Sequence, residues 1–387
     1  MGKRVGIEVS LAVAEAVGLC DVDVVAAYPI TPQTHVVEHL SELVADGHLD
    51  AEFVPVESEH SAMSVCCGSA AVGARTFTAT AAQGLALMAE IVYIAASMRL
   101  PMVMFLSNRA LSGPLSIWND HSDAMLVRDC GWIQVFCENG QETYDAIFHA
   151  FRVAEDPKVS LPVILNIDGF SLTHVIEPIE FWTKEMVQQY LPPFQPINRL
   201  HPDKPITMGA FGMPEIFTET KKAQDYALHH SYPTIIKAWD ELAKLTGRQY
   251  VPVESYCTED AETLIVGMGS ICETATLAVD KMREQGKKVG LVKLRLWRPF
   301  PLTEIRRTLA RAKDVVVLDR SLSYGAPTAP VTSEIRAAMY HEHQRPNIHC
   351  MVVGLGGRDV TPDDVARMVD IALSGAAGEY YLYGVRE

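Results

Sequence analysis

The sequence predicts an α/β protein with two domains, each built on a mostly parallel β-sheet. Apolar strand-like runs alternate with helix-like stretches over residues 9–169, and the alternation returns at residue 261 after a long irregular interval. Such alternation is typical of parallel sheets whose strands are joined by helices. The chain has 387 residues, which is longer than one ordinary hydrophobic core.

In the first half, each predicted element rests on local signals. Strands buried in a parallel sheet are continuous apolar runs bounded by turn residues. Proline favours the first turn of a helix and glycine its end, so one helix is predicted to begin at Pro32 and end at Gly47. The predicted strands are 22–30, 52–56, 74–81, 101–109 and 161–169, and the predicted helices are 9–20, 32–47, 58–74, 84–98 and 140–156.

The second half begins where the alternation fails. Residues 180–235 are rich in proline and aromatic residues, which predicts an irregular excursion with one helix near its end. From residue 261 the pattern is strand, glycine-containing turn, helix and strand, followed by predicted strands at 314–321 and 348–357 and predicted helices at 332–342 and 361–373. We therefore predict a first domain over 1–235, a linker over 236–260 and a smaller α/β domain over 261–387.

Composition excludes several classes of function. The net charge of −15 disfavours nucleic-acid binding, and no apolar run reaches the roughly 18 residues of a membrane span. Glu8 and Glu15 interrupt the N-terminal apolar stretch, so no secretory signal is expected. None of the eight cysteines lies in a Cys-x-x-Cys pair, which argues against a zinc or iron–sulfur site held by this chain alone. We expect a cytoplasmic protein with reduced thiols and no metal ligands of its own.

Polar segments follow three of the predicted strands, at Tyr28–Thr34, Glu57–Ser61 and Ser107–Asp123. Ligands bind at the carboxyl ends of strands in open α/β sheets, so these segments are expected to share a site. Glu59 could hold a proton on a ligand, or it could complement a helix dipole. The hydroxyl group of Thr31 could face a ligand or cap a helix.

Two further patterns leave alternatives open. Arg109 could bind a carboxylate through both guanidinium nitrogens, or it could pair with Asp120 or Asp123. His121 could belong to a hydrogen-bond network at a helix start, and no G-x-S-x-G sequence supports a nucleophilic triad. The Gly267–Ser270 turn resembles half of a dinucleotide fingerprint, but Cys272 replaces its third glycine, so a structural turn is the preferred interpretation.

Together these segments are more specific than any one of them. Their order closely resembles the alpha subunit of pyruvate:ferredoxin oxidoreductase and its 2-oxoacid relatives, and residues 354–360 resemble that family's C-terminal signature. The resemblance spans nearly the whole chain and is weakest over 180–235. The segments are Tyr28–Pro32, Glu57–Ala62, Gln83–Met88, Asn108–Ser112 and Ile117–Asp123.

The resemblance implies a fold, a cofactor and site residues. The first domain is expected to have the thiamine-diphosphate-binding fold of the pyrimidine type, and the second is expected to resemble the transketolase C-terminal domain. The family decarboxylates a 2-oxoacid oxidatively and passes the acyl group to CoA. Matching positions imply that Glu59 contacts the aminopyrimidine ring and that Thr31 and Arg109 bind the oxoacid. Tyr28, Pro29 and Gln83 are expected to contact the cofactor.

The resemblance also implies partner subunits. The chain contains no Gly-Asp-Gly sequence, so Mg²⁺ and the diphosphate are expected on a beta subunit. The [4Fe-4S] clusters are expected on partner subunits, with gamma and ferredoxin-like delta types, and ferredoxin or an NAD-linked carrier as acceptor. Pyruvate is the default substrate, and small changes in the Ser112–Ser116 loop leave phenylglyoxylate or 2-oxoisovalerate open. A cluster-free thiamine enzyme subunit and a non-catalytic binding module are the competing hypotheses.

Overall fold

Two parallel sheets form the framework of the computed structural model, which describes residues 2–386. The first half of the chain alternates strands and helices as expected. Its strands are β1 (Arg4–Glu8), β2 (Val24–Ala27), β3 (Glu52–Pro55), β4 (Thr76–Thr80), β5 (Val103–Asn108), β6 (Ile133–Phe136), β7 (Val163–Asp168) and β8 (Ile176–Glu180). Its helices are α1 (Val9–Leu19), α2 (Thr34–Ala45), α3 (Glu59–Val72), α4 (Ala82–Ser97), α5 (Ser122–Leu126) and α6 (Gly140–Ala154).

The second half contains three helices before its own sheet begins. These are α7 (Lys184–Tyr190), α8 (Pro214–His230) and α9 (Tyr232–Thr246). The strands that follow are β9 (Val253–Tyr256), β10 (Thr263–Gly267), β11 (Val289–Leu294), β12 (Leu296–Arg298), β13 (Asp314–Asp319), β14 (Asn347–Val352) and β15 (Tyr381–Leu382). The helices among them are α10 (Ile271–Glu284), α11 (Leu302–Leu309), α12 (Pro330–Met339) and α13 (Pro362–Leu373).

The first sheet has seven strands in the order β12-β6-β7-β5-β4-β2-β3. Strands β2 to β7 pair in parallel, and only β12 is antiparallel to its neighbour. Side chains alternate between two cores, because successive residues of a strand face opposite sides of a sheet. Val103 and Phe105 pack with helices α1, α2 and α6, whereas Met104 and Leu106 pack with α3 and α4.

The second sheet has six strands in the order β15-β14-β13-β10-β11-β9. All its pairs are parallel except the one between β11 and β9. The two sheets do not belong to separate halves of the chain, because β12 leaves the second half and pairs with β6 at the edge of the first sheet. Within the described residues, no helix is long and apolar enough to cross a bilayer.

Several elements differ from the expectation. The interval 180–235 contains α7 and α8 rather than a single helix, with no helix or strand between Leu191 and Met213. Helix α9 crosses the predicted boundary at 235, and β9 lies inside the predicted linker but pairs with the second sheet. The range 236–260 is therefore mostly regular structure, and the domain boundaries themselves stay predictions. Strands β1, β6, β8, β9, β12 and β15 were not expected.

Candidate active site

The carboxyl edge of the first sheet brings the predicted polar segments together. Strands β3, β2, β4 and β5 lie side by side and run in the same direction, so the segments that follow them begin at one edge. Gly169, just after β7, shows how close they are. A Cβ atom placed there would lie 2.5 Å from the Pro32 ring and 3.2 Å from the Ser107 hydroxyl oxygen. The segments that contain Pro32 and Ser107 therefore come together as the sequence predicts.

Glu59 is the first residue of helix α3 and is 6% exposed. The helix begins here because the Ser58 side chain accepts a hydrogen bond from the backbone N–H of Ser61. Gly84, in the first turn of α4, faces the carboxyl group of Glu59, and a Cβ atom at Gly84 would lie 2.7 Å from its Oε1 atom. No hydrogen-bond donor reaches this carboxyl group from residues 2–386. The structure therefore holds a buried acid that is free to bind a ligand.

Other polar atoms at this edge are buried without a partner. Buried polar groups are nearly always hydrogen-bonded, so a cluster of exceptions marks a place where a ligand completes the site. In the described part of the chain, atoms without a partner at this edge are Gln33 Oε1, Thr80 Oγ1, Gln83 Oε1, Ser107 Oγ and Asn108 Oδ1. Sequence reasoning singled out Gln83 but missed Thr80 and Ser107, because their lack of partners depends on packing.

Arg109 is 6% exposed and lies directly after β5. Its Nε atom donates to the Ser116 carbonyl oxygen at 2.8 Å, and its Nη1 atom donates to the Thr31 carbonyl oxygen at 2.9 Å. Throughout residues 2–386, no carboxylate oxygen lies within salt-bridge distance of the guanidinium group. Burial lowers the pKa of Arg109, so its environment disfavours the charge it carries. A buried cation without a counter-ion is costly unless an anion binds beside it.

The Tyr28–Thr31 segment lies around this arginine. The Thr31 side chain is exposed, as are Tyr28 and Pro29, so all three can contact a ligand. The buried side chain of Gln33 stabilises the segment, because its Nε2 atom donates to the Tyr28 carbonyl oxygen at 2.8 Å. Thr31 does not cap helix α2, whose N-terminal boundary residue is Gln33. The capping alternative is therefore wrong.

Asp123 is the acid behind Arg109, and its role was not expected. Its fully buried carboxylate accepts hydrogen bonds from the backbone N–H groups of Arg109 (2.9 Å) and Ala82 (3.1 Å) and from the Asn108 side chain (3.0 Å). Burial raises the pKa of Asp123 to about 7, although these donors favour the charged form. Asp123 thus joins the ends of β4 and β5. The alternative in which the Arg109 guanidinium pairs with Asp120 or Asp123 is wrong, because Arg109 donates to Asp123 only through its backbone N–H and Asp120 binds other groups.

A second buried network joins the two sheets. Asp168, at the end of β7, accepts hydrogen bonds from His121 at 2.9 Å and from the Ser270 hydroxyl at 2.5 Å, and it pairs with Arg320 at 2.9 Å. Although burial opposes its charge, Arg320 and His121 hold the pKa of Asp168 well below its usual range. His121 and Ser270 both bind the same carboxylate, so they do not form a nucleophilic relay.

The Gly267–Ser270 turn serves this network. Gly269 has a positive φ of 72°, and a Cβ atom there would lie 2.9 Å from Asp168 Oδ2. Glycine is therefore required by the close approach of the two sheets. The backbone N–H of Ser270 also donates to Asp168 at 2.8 Å. These contacts explain the turn without a nucleotide.

The Gly354–Gly357 loop of the second half packs on the loop that holds Arg109. The backbone N–H of Gly356 donates to Asp120 at 3.1 Å, and that of Gly357 donates to the Asn119 carbonyl oxygen at 2.6 Å. No Cβ atom fits at Gly357, because it would overlap the Trp118 side chain. The C-terminal signature therefore contributes to the site by supporting residues 116–120.

Comparison with known sequences gives two family matches. The thiamine-diphosphate-binding model of pyruvate flavodoxin/ferredoxin oxidoreductase matches residues 15–240, and the model of core domain II of pyruvate:ferredoxin oxidoreductase matches residues 261–365. The pyruvate synthase subunit PorA of Methanocaldococcus jannaschii is 46% identical over 93% of this chain and 92% of its own length. The ketoisovalerate oxidoreductase subunit VorA of Pyrococcus horikoshii is 42% identical over 90% of this chain and 88% of its own length.

Solved structures show the same architecture. A 2-oxoglutarate:ferredoxin oxidoreductase from Magnetococcus marinus, with 2-oxoglutarate, coenzyme A and succinyl-CoA bound, matches 96% of this chain and 66% of that longer chain, with a TM-score of 0.69 and 21% identity. A split-gene transketolase, described as an inactive beta4 tetramer, matches 96% of this chain and 99% of that chain, with a TM-score of 0.56 and 14% identity. At these identities the likeness concerns the fold alone.

Proposed function

Because the chain belongs to the pyruvate flavodoxin/ferredoxin oxidoreductase family, we propose that its carboxyl-edge site binds the pyrimidine half of thiamine diphosphate together with a 2-oxoacid. The chain is the alpha subunit of a 2-oxoacid oxidoreductase, with pyruvate as the default substrate. We further propose which residues perform this activity and which partner subunits complete it.

The buried guanidinium of Arg109 is the observation that carries the substrate assignment. Two of its donors bind the carbonyl oxygens of Ser116 and Thr31, which orient the group and leave the remaining N–H donors available. Because no carboxylate of the described chain lies within salt-bridge distance of the guanidinium, an anionic ligand beside it would be stabilised. A 2-oxoacid supplies that anion through its carboxylate. Decarboxylation then removes the anion as neutral CO₂, which favours release from the arginine.

Glu59 is proposed to bind the aminopyrimidine ring. Its carboxyl group is buried and without a donor from the described residues, so it is available for a hydrogen bond with a ring nitrogen. Thiamine diphosphate, when bound, supplies the carbon nucleophile that attacks the keto carbon and stabilises the negative charge left by decarboxylation. Glu59 contributes by holding a proton at the pyrimidine nitrogen, and the absence of a side chain at Gly84 leaves the space that its carboxyl group occupies.

The remaining site atoms fit an aminopyrimidine and a keto acid. An aminopyrimidine offers N–H donors and ring-nitrogen acceptors, and the unpartnered Oε1 of Gln83 and hydroxyl of Thr80 supply the complementary groups. The exposed hydroxyl of Thr31 is close to Arg109 through its own backbone, so we assign it to the keto oxygen. Tyr28 and Pro29 are assigned to cofactor contacts at the rim of the site.

Partner subunits are proposed for the other half of the cofactor and for electron transfer. The chain has no Gly-Asp-Gly sequence for Mg²⁺ and diphosphate, and we assign these to a beta subunit. The eight cysteines are dispersed and six of them are buried, and burial raises the pKa of the Cys66 and Cys130 thiols to about 12. Such thiols are poor cluster ligands, so we assign the [4Fe-4S] clusters to gamma and ferredoxin-like delta subunits. CoA is the proposed acyl acceptor.

The substrate assignment can be tested on the intact native complex. Turnover is measured with CoA and a viologen dye as acceptor, using pyruvate, 2-oxoisovalerate, 2-oxoglutarate and phenylglyoxylate. We expect pyruvate to be used best, and 2-oxoisovalerate is included because the VorA relative is 42% identical. Arg109→Ala is expected to lower kcat/KM for the oxoacid by roughly 10²–10³-fold, which corresponds to loss of a buried charge pair.

Arg128→Ala is the matched control, because Arg128 follows the same loop in sequence but is only half-buried and pairs with its neighbour Asp129. The control is expected to retain wild-type kinetics. If Arg109→Ala changed only the KM for CoA, the assignment of the arginine to the oxoacid would be refuted. If a complex containing thiamine diphosphate and iron used none of the four acids, the substrate class would need revision. Activity in a complex without iron would favour the cluster-free alternative.

A further inference from the structure

Three side chains with metal-binding donors meet outside the site described above. Glu8 ends strand β1, His35 lies in the first turn of helix α2, and His174 lies between β7 and β8. One donor atom from each residue lies within 4.8 Å of the others. These residues come from distant parts of the sequence and match no ligand motif, so the sequence alone did not reveal the cluster.

The backbone holds two of the three residues at fixed positions. The N–H of Val9 donates to the Val175 carbonyl oxygen at 3.1 Å, and the N–H of Ser10 donates to the Thr173 carbonyl oxygen at 3.0 Å. The Ser10 hydroxyl donates to that same carbonyl oxygen at 2.8 Å. The segment that begins helix α1 is therefore joined to the segment that carries His174. This joining organises the Glu8 and His174 donors before any ion binds.

The imidazole of His174 is oriented by a neighbour, as ligating histidines usually are. Its Nδ1 atom is 2.8 Å from the Thr173 hydroxyl, which leaves Nε2 for a ligand. The ring of His35 lies 4.6 Å from that of His174, and His35 Nδ1 is 2.6 Å from Glu8 Oε1. Burial, and next the neighbouring His35, lower the pKa of His174, so its imidazole is neutral and can donate a lone pair at neutral pH.

We propose that Glu8, His35 and His174 form a binding site for a divalent transition-metal ion of the zinc class. Two imidazoles and one carboxylate suit Zn²⁺, whereas Mg²⁺ and Ca²⁺ prefer oxygen ligands. The His35 side chain is 43% exposed, so water can occupy the remaining coordination position and the ion can exchange. The alternative is a hydrogen-bonded His35–Glu8 pair without a metal ion, beside which the His174 ring lies tilted at 41°.

Competition with protons distinguishes these two interpretations. Imidazole and carboxylate groups bind a metal ion only when they are deprotonated, so an ion at this site must compete with protons for its ligands. Binding of the ion is therefore expected to weaken in acid, whereas the contact between His35 and Glu8, at 2.6 Å, needs no ion.

The test is the zinc content of the intact complex. The complex is treated with a chelator, equilibrated by dialysis with low-micromolar Zn²⁺ at pH 7.5, and analysed by mass spectrometry for zinc per alpha chain. We expect His174→Ala and Glu8→Gln each to lose one equivalent relative to wild type. His39→Ala is the matched control, because His39 also lies on α2 and contacts two carboxylates, Glu15 and Glu42. It lies outside the three-ligand group found among residues 2–386, so it should retain the wild-type zinc content.

A second variant, a lower pH and a second metal ion extend the test. If His174→Ala failed to assemble, His35→Ala would decide, since this exposed side chain is not needed for the core. Dialysis at pH 5.5 is expected to remove the same equivalent from wild type, and Mg²⁺ in place of Zn²⁺ should show no difference between variants. Equal zinc content in wild type and in the ligand variants would overturn the proposal. Because no substrate-pocket residue takes part, that failure would leave the proposed function unchanged.

Discussion

Replacement of Gly84 by alanine is the sharpest test of how the site holds its acid. The added Cβ atom would lie 2.7 Å from Glu59 Oε1 and 2.8 Å from Glu59 Cγ, and it would also overlap the Thr80 hydroxyl. Ordinary van der Waals contact for a Cβ atom begins at 3.4 Å, so the carboxyl group must retreat by about 0.7 Å. Glu59 gives way first, because Thr80 belongs to a buried strand.

The magnitude follows from the precision that catalysis requires. A misplacement of about 1 Å can cost roughly 100-fold in rate, so a retreat of this size should lower kcat by about 10- to 100-fold. That loss corresponds to about 1.4–2.7 kcal/mol of transition-state stabilisation. Stability should change less, because alanine is the better helix former by about 1 kcal/mol, which offsets part of the strain.

The assay is dye-linked turnover of the purified complex at saturating thiamine diphosphate and CoA. Gly68→Ala is the matched control, because Gly68 lies on the same helix as Glu59 and a Cβ atom there meets nothing within 4 Å. The control should retain full turnover. If Gly84→Ala retained more than half of the wild-type kcat in a complex of unchanged subunit composition, the placement of Glu59 would not limit catalysis and the reasoning would be refuted.

Three further predictions concern single side chains. Glu59→Ala should abolish turnover without dissociating the subunits, as measured by kinetics and native mass spectrometry; normal turnover would contradict its assigned role. Asp123→Asn should lower the thermal midpoint, because the amide N–H₂ of the new side chain must face at least one backbone donor at a cost of about 1–3 kcal/mol. The same change should raise the KM for the oxoacid, because Asp123 holds the backbone of Arg109. An unchanged KM would show that Asp123 is merely structural. Burial lowers the pKa of His149 to about 4, so between pH 4 and 6.5 the folded chain binds fewer protons than the unfolded chain and stability rises with pH, by up to about 3 kcal/mol. The thermal midpoint of His149→Gln should therefore depend less on pH between 5 and 7, and an equal slope for wild type would contradict this.

The fold could be predicted where local pattern and tertiary environment agree. Strands β5 and β7 are continuous apolar runs because both of their faces are buried, and they were found. Strand β12 was missed because only its pairing with β6, more than 150 residues earlier in the chain, makes these three residues a strand. Helix α8 has an exposed surface along nearly its whole length, so its sequence shows no strong apolar periodicity.

The site likewise has features that the sequence could predict and features that depend on tertiary packing. The positions of Glu59 and Arg109 at the carboxyl edge of the sheet could be predicted because both follow strands, while their roles stay predictions. The sequence could not show that Arg109 lacks a counter-ion, since Asp120 and Asp123 are close along the chain but bind other groups. The unpartnered hydroxyl groups of Thr80 and Ser107 are likewise visible only after packing. The family and the fold class predicted from the motif series are confirmed by the family matches.

The structure also connects the glycine-rich signature in the second half of the chain with Arg109, the proposed substrate-binding residue in the first half. Arg109 is oriented by the carbonyl oxygen of Ser116, which lies on an exposed loop with no regular structure of its own. That loop is held from the other side by the backbone N–H groups of Gly356 and Gly357. Gly357 lies so close to Trp118 that no side chain fits at position 357. The second half of the chain thus supports the 116–120 loop, and the loop orients the guanidinium group of Arg109. Gly356 and Gly357 are therefore positioning residues for the proposed binding of the oxoacid by Arg109, although both are distant from it in sequence.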